Sequence, residues 1–207
     1  MGIYSERILP HVIDHACSIG SIMKLRQKLI PMASGNVLEV GMGSGVNLQF
    51  YNREAVGCVF GLEPSSGMRR KAQQNLSTSP VPVEWLDLPG EQIPLDDNSV
   101  DTVVLTFTLC TIPDWRKALQ QMWRVLKPGG RLLFCEHGQS PDQKVAIWQN
   151  RVTPAWKKIA GGCHLNRPID TCIRGEGFEI ETLENLYIRN APKIAGYIYF
   201  GVARKPE

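Results

Sequence analysis

The 207-residue sequence has no run of 18 or more apolar residues, no internal repeat and no low-complexity segment. Without such a run we expect no transmembrane helix. The first residues lack a basic region followed by an apolar core, so we also expect no signal peptide. The net charge of +3 is too small to indicate a nucleic-acid partner. Length and composition predict one globular domain over residues 1–207.

The six cysteines form no C-x-x-C pair, and no histidine spacing is typical of zinc, so the sequence predicts no metal site. Cys58, Cys110 and Cys135 lie in apolar, strand-like runs, where buried free thiols are the simplest interpretation. Free thiols favour a reducing compartment, and we therefore expect a cytoplasmic protein.

Seven apolar segments predict the strands of one α/β sheet. They are Val37–Val40, Val56–Leu62, Pro82–Leu86, Thr102–Phe107, Arg131–Glu136, Phe178–Leu186 and Ala195–Ala203. Helical patterns separate several of these segments, which predicts a doubly wound, mostly parallel, Rossmann-like sheet covered on both faces. The last two segments have no long helix between them, so we expect an antiparallel last strand.

The first predicted strand ends in a glycine-rich turn, "EVGMGSG", in which Gly41, Gly43 and Gly45 occupy every second position. Glycines there let the backbone turn sharply and approach a ligand closely. Glu63 lies 22 residues after Gly41, where an acidic side chain accepts both hydroxyls of a ribose. A dinucleotide fingerprint needs a small residue where this chain has Val46. The turn therefore favours a nucleoside without a pyrophosphate over NAD.

The sequence resembles the class I S-adenosylmethionine-dependent methyltransferases in "VLEVGMGSG", Glu63, "GEQIPLDDNSVDTVVLTFTLCTIPD" and "RVLKPGGRLLFCEH", which follow the family's order and spacing. "GVNLQFY", "LCTIPD", "FCEHG", "TPAWKKIAGGCHLNR" and "GYIYFGVARK" resemble the methyltransferase-like proteins that methylate small thiols. Quinone-biosynthesis and phospholipid methyltransferases share fewer of these segments. The thiol group carries an N-terminal membrane-anchoring helix in animals. "MGIYSERILPHVIDHA" does not resemble one, so we do not expect membrane residence.

The resemblance implies that S-adenosyl-L-methionine is the cofactor, S-adenosyl-L-homocysteine the product and a small, lipophilic thiol the acceptor. The implied cofactor contacts are the turn residues Gly41, Met42, Gly43 and Gly45 near the methionyl part, Glu63 at the ribose, Pro64 beside the adenine, and Thr106 and Phe107 at the methyl-transfer site. Glu39 would support that turn or reach the ammonium group of the cofactor through water. Many members have Asp-Ala before the glutamate, where this chain has Pro89-Gly90 before Glu91. The adenine amino group would then meet Asp87 or the backbone near Leu88.

The acceptor side holds the candidate catalytic residues. His137 follows Glu136 at the end of the fifth predicted strand and has a pKa suited to removing a thiol proton. Alternatively, both residues only hydrogen-bond the neighbouring loop. His164 in "GGCHLNR" is a second candidate base, and we interpret its neighbour Cys163 as a packing residue.

We expect residues 1–35 to form an N-terminal helical cap and residues 143–167 an insertion over the active site. The resemblance places the cap over the cofactor, with Tyr4 and His11 as lid residues. His11 and His15 have metal-ligand spacing, but no third ligand is evident, so a packed or solvated pair is the simpler interpretation.

Residues 143–160 contain basic and Trp residues and no acidic residue. They form either an amphipathic cover over the site or a peripheral membrane-contacting face. Activity hypotheses other than thiol methylation are N-methylation of a phospholipid, C- or O-methylation of a quinone precursor, and non-catalytic S-adenosylmethionine binding. No pattern in the sequence indicates an oligomeric state.

Overall fold

The computed structural model describes residues 11, 14, 17–189 and 191–207. One sheet runs through this part of the chain. Its strands are β1 (Gly35–Val40), β2 (Val56–Leu62), β3 (Val83–Leu86), β4 (Val100–Thr106), β5 (Leu126–His137), β6 (Glu179–Tyr187) and β7 (Tyr197–Arg204). The longer helices in this part of the chain are α1 (Gly20–Leu29), α2 (Ser66–Ser77), α3 (Trp115–Val125) and α4 (Gln143–Ile159). A shorter helix, α5, spans Ile169–Gly175.

The strand order is β3-β2-β1-β4-β5-β7-β6. Strands β1 to β5 are parallel to one another, whereas β7 is antiparallel to both β5 and β6. The predicted seven-stranded, mostly parallel sheet with an antiparallel last strand is therefore confirmed. Parallel neighbours need crossover connections, and α2 lies in the one from β2 to β3 and α3 in the one from β4 to β5.

Two apolar clusters pack on opposite faces of the sheet, because successive side chains of a strand point to opposite sides. Leu132 and Phe134 of β5 belong to one cluster, together with most of the buried residues of α3. Leu133 and Cys135 belong to the other, which includes the buried apolar residues of α1. Strands covered on both faces have few polar positions, which explains their continuous apolar sequence.

Side-chain caps fix the starts of three helices. Ser65 Oγ accepts the Met68 N–H at 3.3 Å, Asp114 accepts the Lys117 N–H at 3.1 Å, and Asp142 accepts the Lys144 N–H at 3.0 Å. The helices therefore begin where the sequence supplies a Ser or Asp cap. Within residues 11, 14, 17–189 and 191–207, no helix combines the length and apolarity that crossing a bilayer requires.

Candidate active site

A cavity of about 610 Å³ lies at the carboxyl ends of β1, β2 and β4. The strand order reverses here, since β1 lies between β2 and β4, and open α/β sheets bind ligands at such a point. The wall is formed by residues 40–44, 62–66, 89–91, 106–108 and 111–113, together with Asp14, Cys17, Arg26, Val46, Met68 and Gly161.

The turn after β1 holds its three glycines in the left-handed region, with φ of +68° at Gly41, +62° at Gly43 and +74° at Gly45. Residues with a Cβ adopt this region rarely. A Cβ atom at Gly41 would also overlap the side chain of Thr108, so the turn lies directly against the loop after β4. Gly41, Met42 and Gly43 line the cavity, whereas Gly45 does not.

Glu63 and Pro64 follow β2, and both line the cavity. Glu63 Oε2 accepts the Gly43 N–H at 2.9 Å, and its Oε1 accepts the Ser65 N–H at 2.8 Å. Burial raises the pKa of Glu63 above its ordinary value, while the two amides act in the opposite direction. The carboxylate therefore joins the β1 and β2 turns at the cavity wall, where the predicted ribose contact requires it.

Glu39 lies beneath the cavity rather than on its wall and is fully buried. It accepts the Tyr51 hydroxyl and Asn47 Nδ2, each at 2.8 Å. Arg26 Nη1 donates to Asn47 Oδ1 and to Thr106 Oγ1, each at 2.7 Å. Burial raises the pKa of Glu39, although these partners favour its charged form. These contacts fit the predicted role of Glu39 in supporting the turn.

Arg26, Thr106 and Phe107 form one corner of the cavity wall. The Arg26 guanidinium lies 5.4 Å from the centre of the Phe107 ring, and Phe107 has a φ of +58°, which is rare for an aromatic residue. Sequence reasoning missed Arg26. Lys24 and Lys28 of the same helix are equally basic, and the partners of Arg26 lie 21 and 80 residues away in the sequence.

Only some of the residues that follow β3 line the cavity. The Asp87 side chain is 66% exposed and pairs with Arg69, whose Nη2 donates to Asp87 Oδ2 at 2.8 Å. Neither Asp87 nor Leu88 lines the cavity, whereas residues 89–91 do. The segment that departs from the family's Asp-Ala pattern is therefore the one on the wall.

Glu136 is fully buried and holds the β4 loop, which we define as residues 107–113. Its Oε1 accepts the Thr108 N–H at 2.7 Å, and its Oε2 accepts the Cys110 N–H at 3.3 Å. Burial raises the pKa of Glu136 to about 7, although these amides and His137 lower it. Glu136 does not line the cavity, and its contacts are those of a residue that positions the loop.

His137 is also buried and off the cavity wall. Its Nδ1 lies 3.6 Å from Cys163 Sγ, which lies 3.8 Å from Cys110 Sγ. His137 Nε2 has no hydrogen-bond partner in the part of the chain that the structure describes. Cys110 and His137 lower the pKa of the Cys163 thiol. The structure thus joins three side chains whose spacing in the sequence, 53 and 26 residues, matches no short motif.

His164 belongs to the α4 exit loop, which we define as residues 160–167. The backbone N–H of His164 donates to the Cys110 carbonyl at 2.8 Å, and the ring Nδ1 lies 3.3 Å from Arg167 Nη2. Burial and the Arg167 guanidinium lower the pKa of His164. The side chain lines a separate surface depression, while Gly161 of the same loop lines the cavity. None of the three predicted catalytic candidates therefore lies on the cavity wall.

Residues ahead of α1 contribute to the cavity, since Asp14 and Cys17 lie on its wall. His11 is exposed and does not line the cavity. Tyr4 and His15 lie outside the described residues, so their predicted roles remain predictions.

Comparison with known proteins shows what this chain is similar to. Residues 38–134 match a family model described as a methyltransferase domain. Thiol S-methyltransferase TMT1B of Rattus norvegicus is 39% identical over 136 residues, or 63% of this chain and 54% of the relative. A demethylmenaquinone methyltransferase of Clavibacter sepedonicus is 31% identical over 136 residues, or 62% of this chain and 54% of the relative. The chain spans little more than half the length of these curated relatives.

A solved structure shows the same fold. The S-adenosylmethionine-dependent methyltransferase of Mesorhizobium loti has a TM-score of 0.66 at 16% identity, with 90% of this chain and 99% of that chain covered. The matched domain and the fold imply S-adenosylmethionine as the cofactor, as predicted. Together they bear out the resemblance: residues 38–134 are similar to a methyltransferase domain, and the chain has the fold of that S-adenosylmethionine-dependent methyltransferase.

Proposed function

We propose that this chain transfers the methyl group of S-adenosylmethionine to the sulfur of a small, lipophilic thiol. The observation that carries the proposal is the cavity at the β1–β4 switch point, with Glu63 on its wall and bonded to Gly43. A thiol acceptor is favoured over others because the rat relative at 39% identity is a thiol S-methyltransferase.

The cavity fits the cofactor in size and charge. Its volume of about 610 Å³ lies within the range of about 300–1,000 Å³ that is usual for small-molecule sites. Asp14, Glu63 and Glu91 line it, and Arg26 is the guanidinium on its wall. Three carboxylates suit a ligand with a sulfonium, an ammonium and two ribose hydroxyls, and the guanidinium suits the ligand's single carboxylate.

S-adenosylmethionine supplies an electrophilic methyl group when bound. Thr106 and Phe107, at the end of β4, would orient the acceptor sulfur in line with that methyl. The apolar part of the wall, which includes Met42, Phe107 and Ile112, would exclude water while charge is neutralised during transfer. The chain's contribution is thus positioning and a dry surface.

The acceptor must lose its proton. No imidazole lies on the cavity wall among residues 11, 14, 17–189 and 191–207. A free thiol has a pKa of about 8.5, so a useful fraction is already thiolate near neutral pH. We propose that the thiol enters as thiolate, with the Arg26 guanidinium favouring that form. His137 is the competing proposal for the base.

A pH series separates these two routes. If the thiol ionises by itself, the midpoint of log kcat/KM against pH shifts with the pKa of each acceptor thiol, and His137→Gln preserves the profile from pH 6 to 9. A midpoint that stays fixed across acceptors and disappears in His137→Gln would identify His137 as the base. His164→Gln serves as the matched imidazole control.

The acceptor itself is tested with methyl-labelled S-adenosylmethionine and a panel of alkyl thiols, hydrogen sulfide, phosphatidylethanolamine vesicles and quinol precursors. Label in the thiols supports the proposal. Label only in quinols would support the second candidate, which the 31% identical demethylmenaquinone methyltransferase favours. Tight cofactor binding without any transfer would instead indicate a non-catalytic binding module.

We also propose that α4 contacts a membrane surface and that the protein works in the cytoplasm. Ile147, Trp148 and Ile159 are between 45% and 59% exposed, and Lys144 and Arg151 lie on the same helix. A basic helix with exposed aromatic and aliphatic side chains suits an anionic lipid surface, where lipophilic acceptors accumulate. All six cysteines are free, which suits a reducing compartment.

A further inference from the structure

A buried cluster of two thiols and an imidazole lies outside the cavity wall. Cys110 lies on the β4 loop, His137 ends β5, and Cys163 lies on the α4 exit loop. One ligand atom from each residue can be chosen so that all three lie within 4.8 Å of one another. Methyl transfer as proposed above uses none of these side chains.

Two of the three spacings between the ligand atoms match a tetrahedral metal site, and the third pair lies within 4.8 Å. Two thiolate sulfurs at about 2.3 Å from a tetrahedral zinc ion lie about 3.8 Å apart, and Cys110 Sγ and Cys163 Sγ are 3.8 Å apart. A sulfur at that distance and an imidazole nitrogen at about 2.0–2.1 Å lie about 3.6 Å apart. Cys163 Sγ and His137 Nδ1 are 3.6 Å apart.

We propose that Cys110, His137 and Cys163 bind one soft divalent cation of the zinc type. Two sulfurs and one imidazole nitrogen are the ligands that such an ion prefers over oxygen-seeking ions such as magnesium. Three protein ligands leave a fourth position for a water molecule or an external thiolate. The absence of a short motif explains why the sequence predicts no metal site here.

Neighbouring hydrogen bonds hold Cys110 in place and join the two loops that carry the thiols. The Cys110 N–H donates to Glu136, and the Cys110 carbonyl accepts the His164 N–H at 2.8 Å. Arg167 Nη1 donates to the Ile112 carbonyl at 3.0 Å and thereby joins the α4 exit loop to the β4 loop. Such outer contacts orient metal ligands. His137 Nε2 has no hydrogen-bond partner among the described residues, so the imidazole has no such outer contact.

The ion would connect two segments that form the cavity wall. Thr111 follows Cys110 in the β4 loop, Gly161 precedes Cys163 in the α4 exit loop, and both line the cavity. The metal site would therefore fix the distance between the β4 loop and the α4 exit loop. It does not depend on which acceptor is methylated.

Metal binding can be measured on the full chain without cofactor or acceptor. Protein purified with a reductant and stripped with a chelator is titrated with Co²⁺ and then with Zn²⁺. We expect one equivalent of Co²⁺ to give thiolate-to-cobalt charge-transfer absorption and the visible bands of a tetrahedral ion, and Zn²⁺ to remove both. Cys110→Ser and Cys163→Ser should each lose about half of the charge-transfer absorption, because each removes one of two sulfurs.

Cys58→Ser is the matched control, since Cys58 lies on β2, outside the cluster. It should leave the Co²⁺ spectrum unchanged, and far-ultraviolet circular dichroism checks that each variant is folded. Absence of stoichiometric Co²⁺ binding by the wild-type protein would overturn the proposal without any variant. Loss of two thiols as a Cys110–Cys163 disulfide under a mild oxidant, with no metal bound by the reduced protein, would also overturn it.

Discussion

Glu63 and Glu136 are both carboxylates at strand ends, and each accepts backbone amides of a neighbouring loop. Glu63 bonds the turns after β1 and β2 and lies on the cavity wall. Glu136 bonds the β4 loop and is fully enclosed by protein. The same hydrogen-bonding pattern therefore occurs in a carboxylate on the cavity wall and in one enclosed by the framework.

The surroundings of the two carboxylates also affect their pKa values. Burial raises both pKa values, and it raises that of Glu136 to about 7. A carboxylate at a cavity retains some access to water or to a ligand's polar groups, whereas an enclosed one must rely on amides alone. Position relative to the cavity, rather than residue type, thus separates a carboxylate that a ligand can reach from one that only positions a loop.

The largest expected effect concerns the contact between the turn after β1 and the β4 loop. Gly41→Ala should lower the free energy of unfolding by about 2–5 kcal/mol, because the positive φ and the overlap with Thr108 both oppose a Cβ. Urea denaturation measures this. Gly129→Ala is the matched control, since Gly129 has a φ of +72° with no atom near its Cβ position, and should lose only about 1–2 kcal/mol. Equal losses would show that Thr108 moves aside freely.

The enclosed carboxylate should make stability depend on pH. Between about pH 4.5 and 7 the folded protein keeps a proton on Glu136 that the unfolded chain has lost, so raising the pH favours unfolding. Relative to Glu136→Gln, the wild-type protein should lose about 3 kcal/mol across this window. Urea midpoints at several pH values measure the difference. A constant difference from pH 4.5 to 8 would contradict the enclosed position of Glu136.

Cofactor affinity should distinguish Glu63 from Asp87, two carboxylates that follow neighbouring strands. Glu63→Ala should weaken S-adenosylhomocysteine binding by about 10- to 100-fold, because hydrogen bonds to a charged group are lost. Asp87→Ala should weaken it by less than about fivefold, since it removes an exposed ion pair. Titration calorimetry gives both values. An unchanged affinity in folded Glu63→Ala would remove Glu63 from the ribose site.

The smallest expected effect lies outside the cavity. Trp148→Gln should weaken binding to anionic phospholipid vesicles a few-fold, because one exposed ring is removed from α4. Turnover of a water-soluble thiol should stay unchanged. Leu183→Gln, an exposed apolar position on β6, is the control for general loss of hydrophobic surface. Vesicle sedimentation that does not distinguish the two variants would contradict a membrane-contacting face on α4.

Local patterns were enough to predict several residues that line the cavity. Gly41, Gly43 and Glu63 lie in short segments where one strand and one turn determine the geometry, and the structure places all three at the cavity. The predictions of where strands begin and end were less accurate. β5 begins at Leu126 rather than Arg131 because Leu126 pairs with Val100 ahead of a register shift, which no pattern in "KPGG" indicates.

The acceptor side depends on contacts between distant parts of the chain. Arg26 reaches Thr106 across 80 residues, and Cys163 reaches Cys110 across 53. Such pairs form only after the sheet has brought its strand ends together, so spacing along the sequence does not predict them. The sequence shows where His137 and Cys163 lie along the chain, but it does not predict that they are in contact.

The two edge strands of the sheet affect how copies of this protein can associate. β3 forms one edge with only four residues, and β6 forms the other with Glu179, Glu181 and Glu184 along its length. A short edge and an acidic edge are poor templates for backbone pairing with another chain. Concentrated solutions should therefore resist edge-to-edge aggregation, and any dimer would have to associate through helices.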